Sequence, residues 1–239
     1  MIPMKRYEQL IKELEKIKER GYIKTHRAND TGIGKTLEDL LGIEENNFPG
    51  PNGDHTELKS IRRNSGGMLS LFTKSPEPFG SNSILLDDFG IIRDDGKKRL
   101  HTTVNAQKRN TLDGKDAFII HIQDSRIELN HAKHGKYSQM PYWEKTVLKK
   151  SFEKKYPKYL LYVKADHRGL GSNKEFHYNE AWLMRGFDFD NFVKLLIDGK
   201  IFVDVRIGFA NGRAHDHGTV FRVGHENLDR CFSDRKRVL

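Results

Sequence analysis

Tyr159 to Val163 is a short, nearly continuous apolar run bounded by polar residues. Such a run fits a buried central strand, with other elements covering both faces of its sheet. From Ile201 the pattern differs. Ile201, Val203, Val205 and Ile207 alternate strictly and share one face, leaving Asp204 and Arg206 side by side on the other. Helical spacing supplies the covering elements. Tyr7, Leu10, Ile11, Leu14 and Ile17 share a face, Glu8 precedes Lys12 by one turn, and Gly21 is a natural stop. Ile33, Leu37, Leu40 and Leu41 make a second helix, with Asp30 or Thr31 as cap, Gly42 as terminator and Glu38 beside the apolar face. Pro141 opens a third, whose buried side is Trp143, Val147, Leu148 and Phe152. Phe189, Phe192, Val193 and Leu196 form a last one, closed by Gly199.

Two hairpins are expected. A turn-rich loop from Phe48 to Asp54 leads into a strand from about His55 to Ile61, and Gly66-Gly67 separates this from a strand at Met68 to Thr73. A polar stretch then runs to about Gly114, and Ala117 to Ile122 pairs with Arg126 to Leu129. The mixture predicts an α/β or α+β domain. At 239 residues the chain can bury one substantial core, so one domain with room for two lobes is expected.

Lys and Arg total 42 against 33 Asp and Glu, a net charge of +9 that suits a polyanionic partner. The single cysteine, Cys231, excludes a disulfide framework and a multi-thiolate zinc site. The N-terminus, MIPMKRYEQLIKELEK, lacks the apolar core of a signal peptide, and no run approaches the ~20 apolar residues of a membrane span. A soluble, intracellular protein is the expectation.

Glu57-Leu58-Lys59 is an E-x-K strand segment, with Leu58 facing one way and Glu57 and Lys59 the other. Two positions along a strand advance about 6.6 Å, so a carboxylate and an ammonium can flank one scissile phosphate. Half-exposed strands often carry alternating Glu and Lys without chemistry, and the pattern draws its weight from context. Asp54 precedes it out of a Gly-Pro loop, and Glu38 projects from a helix before both. Three converging carboxylates require a cation, and Mg2+ takes hard oxygen ligands while keeping waters for phosphate chemistry. Glu38, Asp54, Glu57 and Lys59 are therefore the candidate catalytic residues, with Asp54 and Glu57 as metal ligands. Gly32 to Thr36 ends in Gly-Lys-Thr, but Asn29 replaces the first phosphate-loop glycine and no apolar strand precedes it, so nucleotide binding is not expected.

The stretches Thr31–Leu41, Glu57–Lys59, Leu69–Pro76, Val203–Gly208 and His215–Arg222, in that order, resemble the MvaI/BcnI family of restriction endonucleases, relatives of the mismatch-repair nickase MutH within the PD-(D/E)xK group. The resemblance implies a mixed sheet flanked by helices, in two lobes around a DNA-binding cleft. The catalytic lobe centres on about residues 30–90 and the recognition lobe includes about 200–239. It further implies a Mg2+-dependent Type II enzyme acting on double-stranded DNA, as a monomer without an obligate protein partner, in the cytoplasm of a bacterial or archaeal cell. Cleavage would proceed by sequential nicking at a CCNGG-type site. Thr73 leans toward the CCWGG readers, because the CCSGG readers carry histidine there.

The resemblance places Asp204, Arg206, His215, His217 and Arg222 at or near base-contacting positions, with Lys35, Thr73 and Lys74 as further DNA contacts. Arginine can fork to guanine and aspartate can accept from cytosine N4, although an Asp/Arg pair is equally an ordinary surface ion pair. His215 and His217 lack the further ligands of a zinc site, and His131 and His134 are assigned no role. One departure stands out: Asn52 occupies the position of the family's metal-binding aspartate, five residues before Glu57. Either the loop shifts so that Asp54 supplies the ligand, the favoured reading, or the centre is disabled. A repair nickase and an inactive sequence-specific DNA-binding protein are the alternatives.

Overall fold

In the computed structural model, which describes residues 5–44, 50–132, 140–210 and 212–239, the amphipathic N-terminal pattern forms helix α1 (Tyr7–Glu19). In chain order there follow β1 (Ile23–Lys24), α2 (Gly32–Leu40), β2 (Thr56–Arg62), β3 (Met68–Thr73), α3 (Ser81–Phe89), β4 (Ile91–Ile92) and β5 (Lys98–Val104). Next come β6 (Thr111–Leu112), β7 (Lys115–Asp116), β8 (Phe118–Ile122), β9 (Arg126–His131), β10 (Tyr142–Glu144), α4 (Lys145–Lys155), β11 (Tyr159–Arg168) and β12 (Glu175–Phe187). The last are α5 (Phe189–Ile197), β13 (Ile201–Ala210), β14 (Arg213–Asp216), β15 (Val220–Gly224) and β16 (Phe232–Arg237). The chain divides into two compact units: Met1–Gly67 with Glu153–Asp188 and Asp229–Leu239, and Met68–Phe152 with Phe189–Leu228.

The first unit holds, among the described residues, a five-stranded sheet of order β1-β12-β11-β2, with β16 also on β12. The apolar run becomes β11, flanked by β2 in parallel and β12 in antiparallel pairing. Leu160, Leu161 and Val163 are wholly buried, as a central strand requires. On one face Leu58, Leu161, Val163 and Tyr178 pack with Leu10 and Leu14 of α1 and Leu37 of α2. Each such side chain contributes about 2 kcal/mol by leaving water. The Tyr178 hydroxyl donates to the carbonyl of Ile33 at 2.8 Å, which anchors the start of α2 to the sheet.

The second unit is built on a six-stranded sheet among the described residues, of order β3-β15-β13-β5-β4, with β14 also on β13. Val203, Val205 and Ile207 are fully buried on one face. In the same unit's core Phe72 stacks on Phe221 at 4.9 Å and meets Phe152 and Phe192 edge-on or tilted. The opposite face of β13 carries Asp204 and Arg206. A three-stranded sheet, β10-β9-β8, lies in the same unit.

Several sequence expectations are corrected. β2 and β3 do not form a hairpin: β2 pairs with β11 and β3 with β15, in different sheets. Gly66-Gly67 breaks the strand, but partner choice is settled by distant apolar faces. The stretch read as polar to Gly114 contains α3, whose Leu85 and Leu86 are buried, and the full strand β5. Tyr142–Glu144 is a strand, so the third helix begins at Lys145 rather than at Pro141. β12 was not anticipated, because charged and amide side chains interrupt its apolar positions. The β8–β9 hairpin, α5 and β13 stand where the pattern put them. Phe48, Pro49 and His134 lie outside the described residues.

Candidate active site and polar sheet face

Glu57 is 1% exposed, which demands compensation for its charge. Lys59, two residues along β2, reaches Oε1 at 2.9 Å. Lys155, in the last turn of α4, reaches Oε2 at 3.1 Å and donates to the carbonyl of Gly50 at 2.8 Å. The Lys155 contact is an ion pair off the hydrogen-bond direction, so Oε2 keeps a lone pair that no hydrogen bond uses. Two ammonium groups on one buried carboxylate is a strongly polarised arrangement. Beside it, the phenol of the fully buried Tyr156 is pushed well up, by burial first and by the Glu57 charge second.

The loop before β2 places Asn52, not Asp54, inward. Asn52 Oδ1 accepts from the Leu58 amide at 3.1 Å, and its Nδ2 donates to Glu38 Oε1 at 3.4 Å. Asp54 faces Arg6 at 3.8 Å and His55 at 3.4 Å. The backbone explains this. Gly53 and Thr56 exchange hydrogen bonds of 2.7 and 3.4 Å around His55, whose φ is 57°, and the Asp54 amide is tied to the carbonyl of Lys5 at 2.9 Å. The turn carries Asp54 outward. Glu38, Asp54 and Glu57 therefore do not converge, and no group of three or more His, Cys, Asp or Glu among the described residues is placed to hold a metal.

The oxygen donors present are Glu57 Oε2, Glu38 and the Asn52 amide oxygen. Mg2+ commonly binds through one or two carboxylates and retains waters, so this set fits it, with an amide where a carboxylate would bind more strongly. Glu38, Lys59, Lys35 and Ser60 line an open pocket of about 320 Å³. Lys35 pairs with Asp39 at 2.6 Å, and His26 joins the same carboxylate at 2.9 Å. Hydrogen bonds from Lys35 and then His26 hold Asp39 below the usual carboxylate range.

In the second unit Asp204 is 5% exposed, and Thr103 Oγ1 donates to its Oδ1 at 2.7 Å. Its Oδ2 accepts from Arg206 at 2.9 Å and Arg222 at 2.7 Å. Burial pushes this carboxyl up, but the hydrogen bonds from Thr103, Arg222 and Arg206 prevail and hold it below the ordinary range. Arg222 also donates to the carbonyl of Met68 at 3.1 Å, leaving its buried Nε without a hydrogen bond. The His215 and His217 rings meet edge-on at 5.0 Å. His217 packs against Gly208, where a Cβ would stand 2.6 Å from the His217 ring. Asp216 caps the turn through the Gly218 and Thr219 amides at 2.8 and 2.6 Å. Thr73 is exposed, opposite Val220, and the Lys74 backbone bonds Thr219 and the Trp143 indole.

Against this geometry, the family model of the MvaI/BcnI restriction endonuclease family matches residues 11–232. The chain belongs to that family. It is a Type II restriction endonuclease, a site-specific DNA endonuclease, and such enzymes generally use a divalent metal. A structure of restriction endonuclease MvaI with its cognate DNA substrate is similar over 99% of this chain and 100% of that one, at 31% identity and a TM-score of 0.85. MvaI in the absence of DNA is similar over the whole of both chains at 30% identity, with a TM-score of 0.60. No curated protein sequence matches. Among the described residues no helix is long and apolar enough to cross a membrane.

Two residues of these sites escaped the sequence. Lys155 lies far from Glu57 along the chain and closes on it only through tertiary structure. Thr103 sits on β5, where Leu100 and Val104, the buried positions of a strand, were the available signal.

Proposed function

We propose that this endonuclease hydrolyses phosphodiester bonds of double-stranded DNA at a CCWGG-type site, with Mg2+, as a monomer that nicks one strand and then the other. The setting is the cytoplasm of a bacterial or archaeal cell. The observation carrying the reading is the buried Glu57 carboxylate held between Lys59 and Lys155, with Asn52 bonded both to the amide of the next residue, Leu58, and to Glu38. In this reading the first unit cuts and the second reads sequence. Glu57, Glu38 and the Asn52 oxygen would hold the metal, which when bound would supply Lewis-acid polarisation of the phosphate and acidify a water. Lys59 Nζ orients the attacking water and offsets charge gathering on the phosphate, and Glu57 fixes where that ammonium stands. Lys155 adds a second positive group to the same carboxylate. Asp204 sets the guanidinium of Arg206, 43% exposed, for guanine O6 and N7. Lys35, Thr73, Lys74, His215 and His217 supply the remaining DNA contacts. The MvaI complex, solved with cognate DNA, supports the choice of duplex DNA.

Plasmid digestion with Mg2+ and sequencing of the ends tests this. Cleavage at CCWGG is expected, through a nicked intermediate. Glu57→Ala should abolish cutting and leave site-specific binding. Accumulation of nicked product alone would indicate a nickase. Site-specific binding without cutting, with cleavage gained by Asn52→Asp, would make the chain a DNA-binding protein.

A further inference from the structure

On β13 the aspartate expected to read cytosine is only 5% exposed and largely engaged within the protein. Asp204 is buried, and its oxygens already accept from Thr103, Arg206 and Arg222. It is a positioning residue. Arginine recognises the guanine of a C·G pair, while the cytosine N4 amine needs an acceptor. An exposed acceptor on this face is better placed to meet that amine than the buried carboxylate.

β5 supplies one. Directly opposed residues of an antiparallel pair project from the same face, and the register sets Thr103 against Asp204 and His101 against Arg206. The 2.7 Å bond between Thr103 and Asp204 shows that side chains in this register meet. His101 is exposed, so its ring is open to a partner beside the Arg206 guanidinium. The partial desolvation of its ring, and then the neighbouring His217, Arg99, Arg206 and Arg93, hold His101 below the ordinary histidine range. A neutral imidazole has one donor and one acceptor nitrogen, where a protonated ring would have donors only.

We propose that His101 reads a base edge next to the one read by Arg206, so that the two side chains specify a single C·G pair. This rests on the proposed function, because it assumes a duplex on the polar face of the sheet.

Fluorescence anisotropy with labelled duplexes in Ca2+ tests it, using the CCWGG duplex and a set in which each base pair is changed in turn. Wild type should prefer the CCWGG duplex. His101→Ala should bind that duplex about tenfold to a hundredfold more weakly and become indifferent to one C·G pair, the pair also blurred by Arg206→Ala. Binding to unrelated DNA should stay the same, and circular dichroism should match wild type. His101→Lys, which offers a phosphate contact but no acceptor, should behave like His101→Ala. Restored affinity in His101→Lys, or equal weakening on every duplex, would mean a phosphate contact and overturn the proposal. Preserved discrimination in His101→Ala would overturn it while leaving the proposed function standing. A wild type that binds all duplexes alike would overturn both.

Discussion

Replacing Asn52 by aspartate changes one hydrogen-bonding group and one charge at the centre of the site. The oxygen accepting from the Leu58 amide at 3.1 Å is retained and strengthened, because a charged acceptor makes a better bond by about 1 kcal/mol. The amide donating to Glu38 at 3.4 Å becomes a second carboxylate oxygen facing the first. Two unit charges at that separation repel by about 5 kcal/mol at an effective dielectric of about 20, and rotation of these half-buried side chains relieves most of it. A residual of about 2 kcal/mol, less the gain at Leu58, leaves Asn52→Asp about 1 kcal/mol less stable than wild type in chelator. Magnesium acts in the opposite direction. A ligand at a hundred times its dissociation constant stabilises the form that binds it by about 2.7 kcal/mol, and the variant carries the extra carboxylate. Urea unfolding of both proteins in EDTA and in Mg2+ gives four free energies. The variant should be the less stable in EDTA and should gain more from Mg2+, with faster DNA cleavage alongside. Equal stabilities in EDTA together with equal gains in Mg2+ would show that Asn52 and Glu38 do not share a cation site, and the assigned roles of both would fail.

Glu180 provides a pH test in the first unit. Burial pushes its carboxyl up, but hydrogen bonds from Trp182, Arg63 and Lys164 outweigh this and hold it at about 2 against an ordinary 4.5. The folded carboxyl is the stronger acid, so its stabilisation is complete above pH 4.5 and declines as pH falls toward 2. Glu180→Gln should cost roughly 2–3 kcal/mol at pH 7, and the gap should shrink by about 1.4 kcal/mol per pH unit below 4.5 in urea titrations. A gap independent of pH would mean that packing, not charge, is lost. Asp204→Asn leaves Arg206 and Arg222 without their shared anion and should destabilise the protein by about 3 kcal/mol. Anisotropy should also show weakened preference for the CCWGG duplex. Unchanged preference would remove Asp204 from the reading of DNA.

Elements whose partners follow from their own periodicity were legible. β11 shows in five adjacent apolar residues, β13 in strict alternation, and α1 and α5 in helical spacing ended by glycines at φ of 68° and 66°. Elements held by polar groups were not. β12 carries Asn179 and Glu180, which look like solvent-facing residues until Arg63 is seen bridging Asp166, Asn179 and Glu180 at 2.6 to 2.9 Å. Arg63 is thus a structural brace in the fold.

The same distinction runs through the site. Glu57, Lys59 and Glu38 could be named because strand and helix periodicity fix their faces. Between Asn52 and Asp54, charge favours the aspartate and backbone geometry favours the asparagine, and the backbone prevails. The turn around His55 is held by four main-chain hydrogen bonds, one of them from the Tyr159 amide to the His55 carbonyl, and a Cβ on Gly53 would stand 2.8 Å from the carbonyl of Lys5, so the loop has little room to shift. A ligand gained by moving Asp54 inward would have to repay those bonds and that clash. Restoring the carboxylate at position 52 requires neither, which is why the single substitution there, rather than any redesign of the loop, is the decisive experiment on this centre.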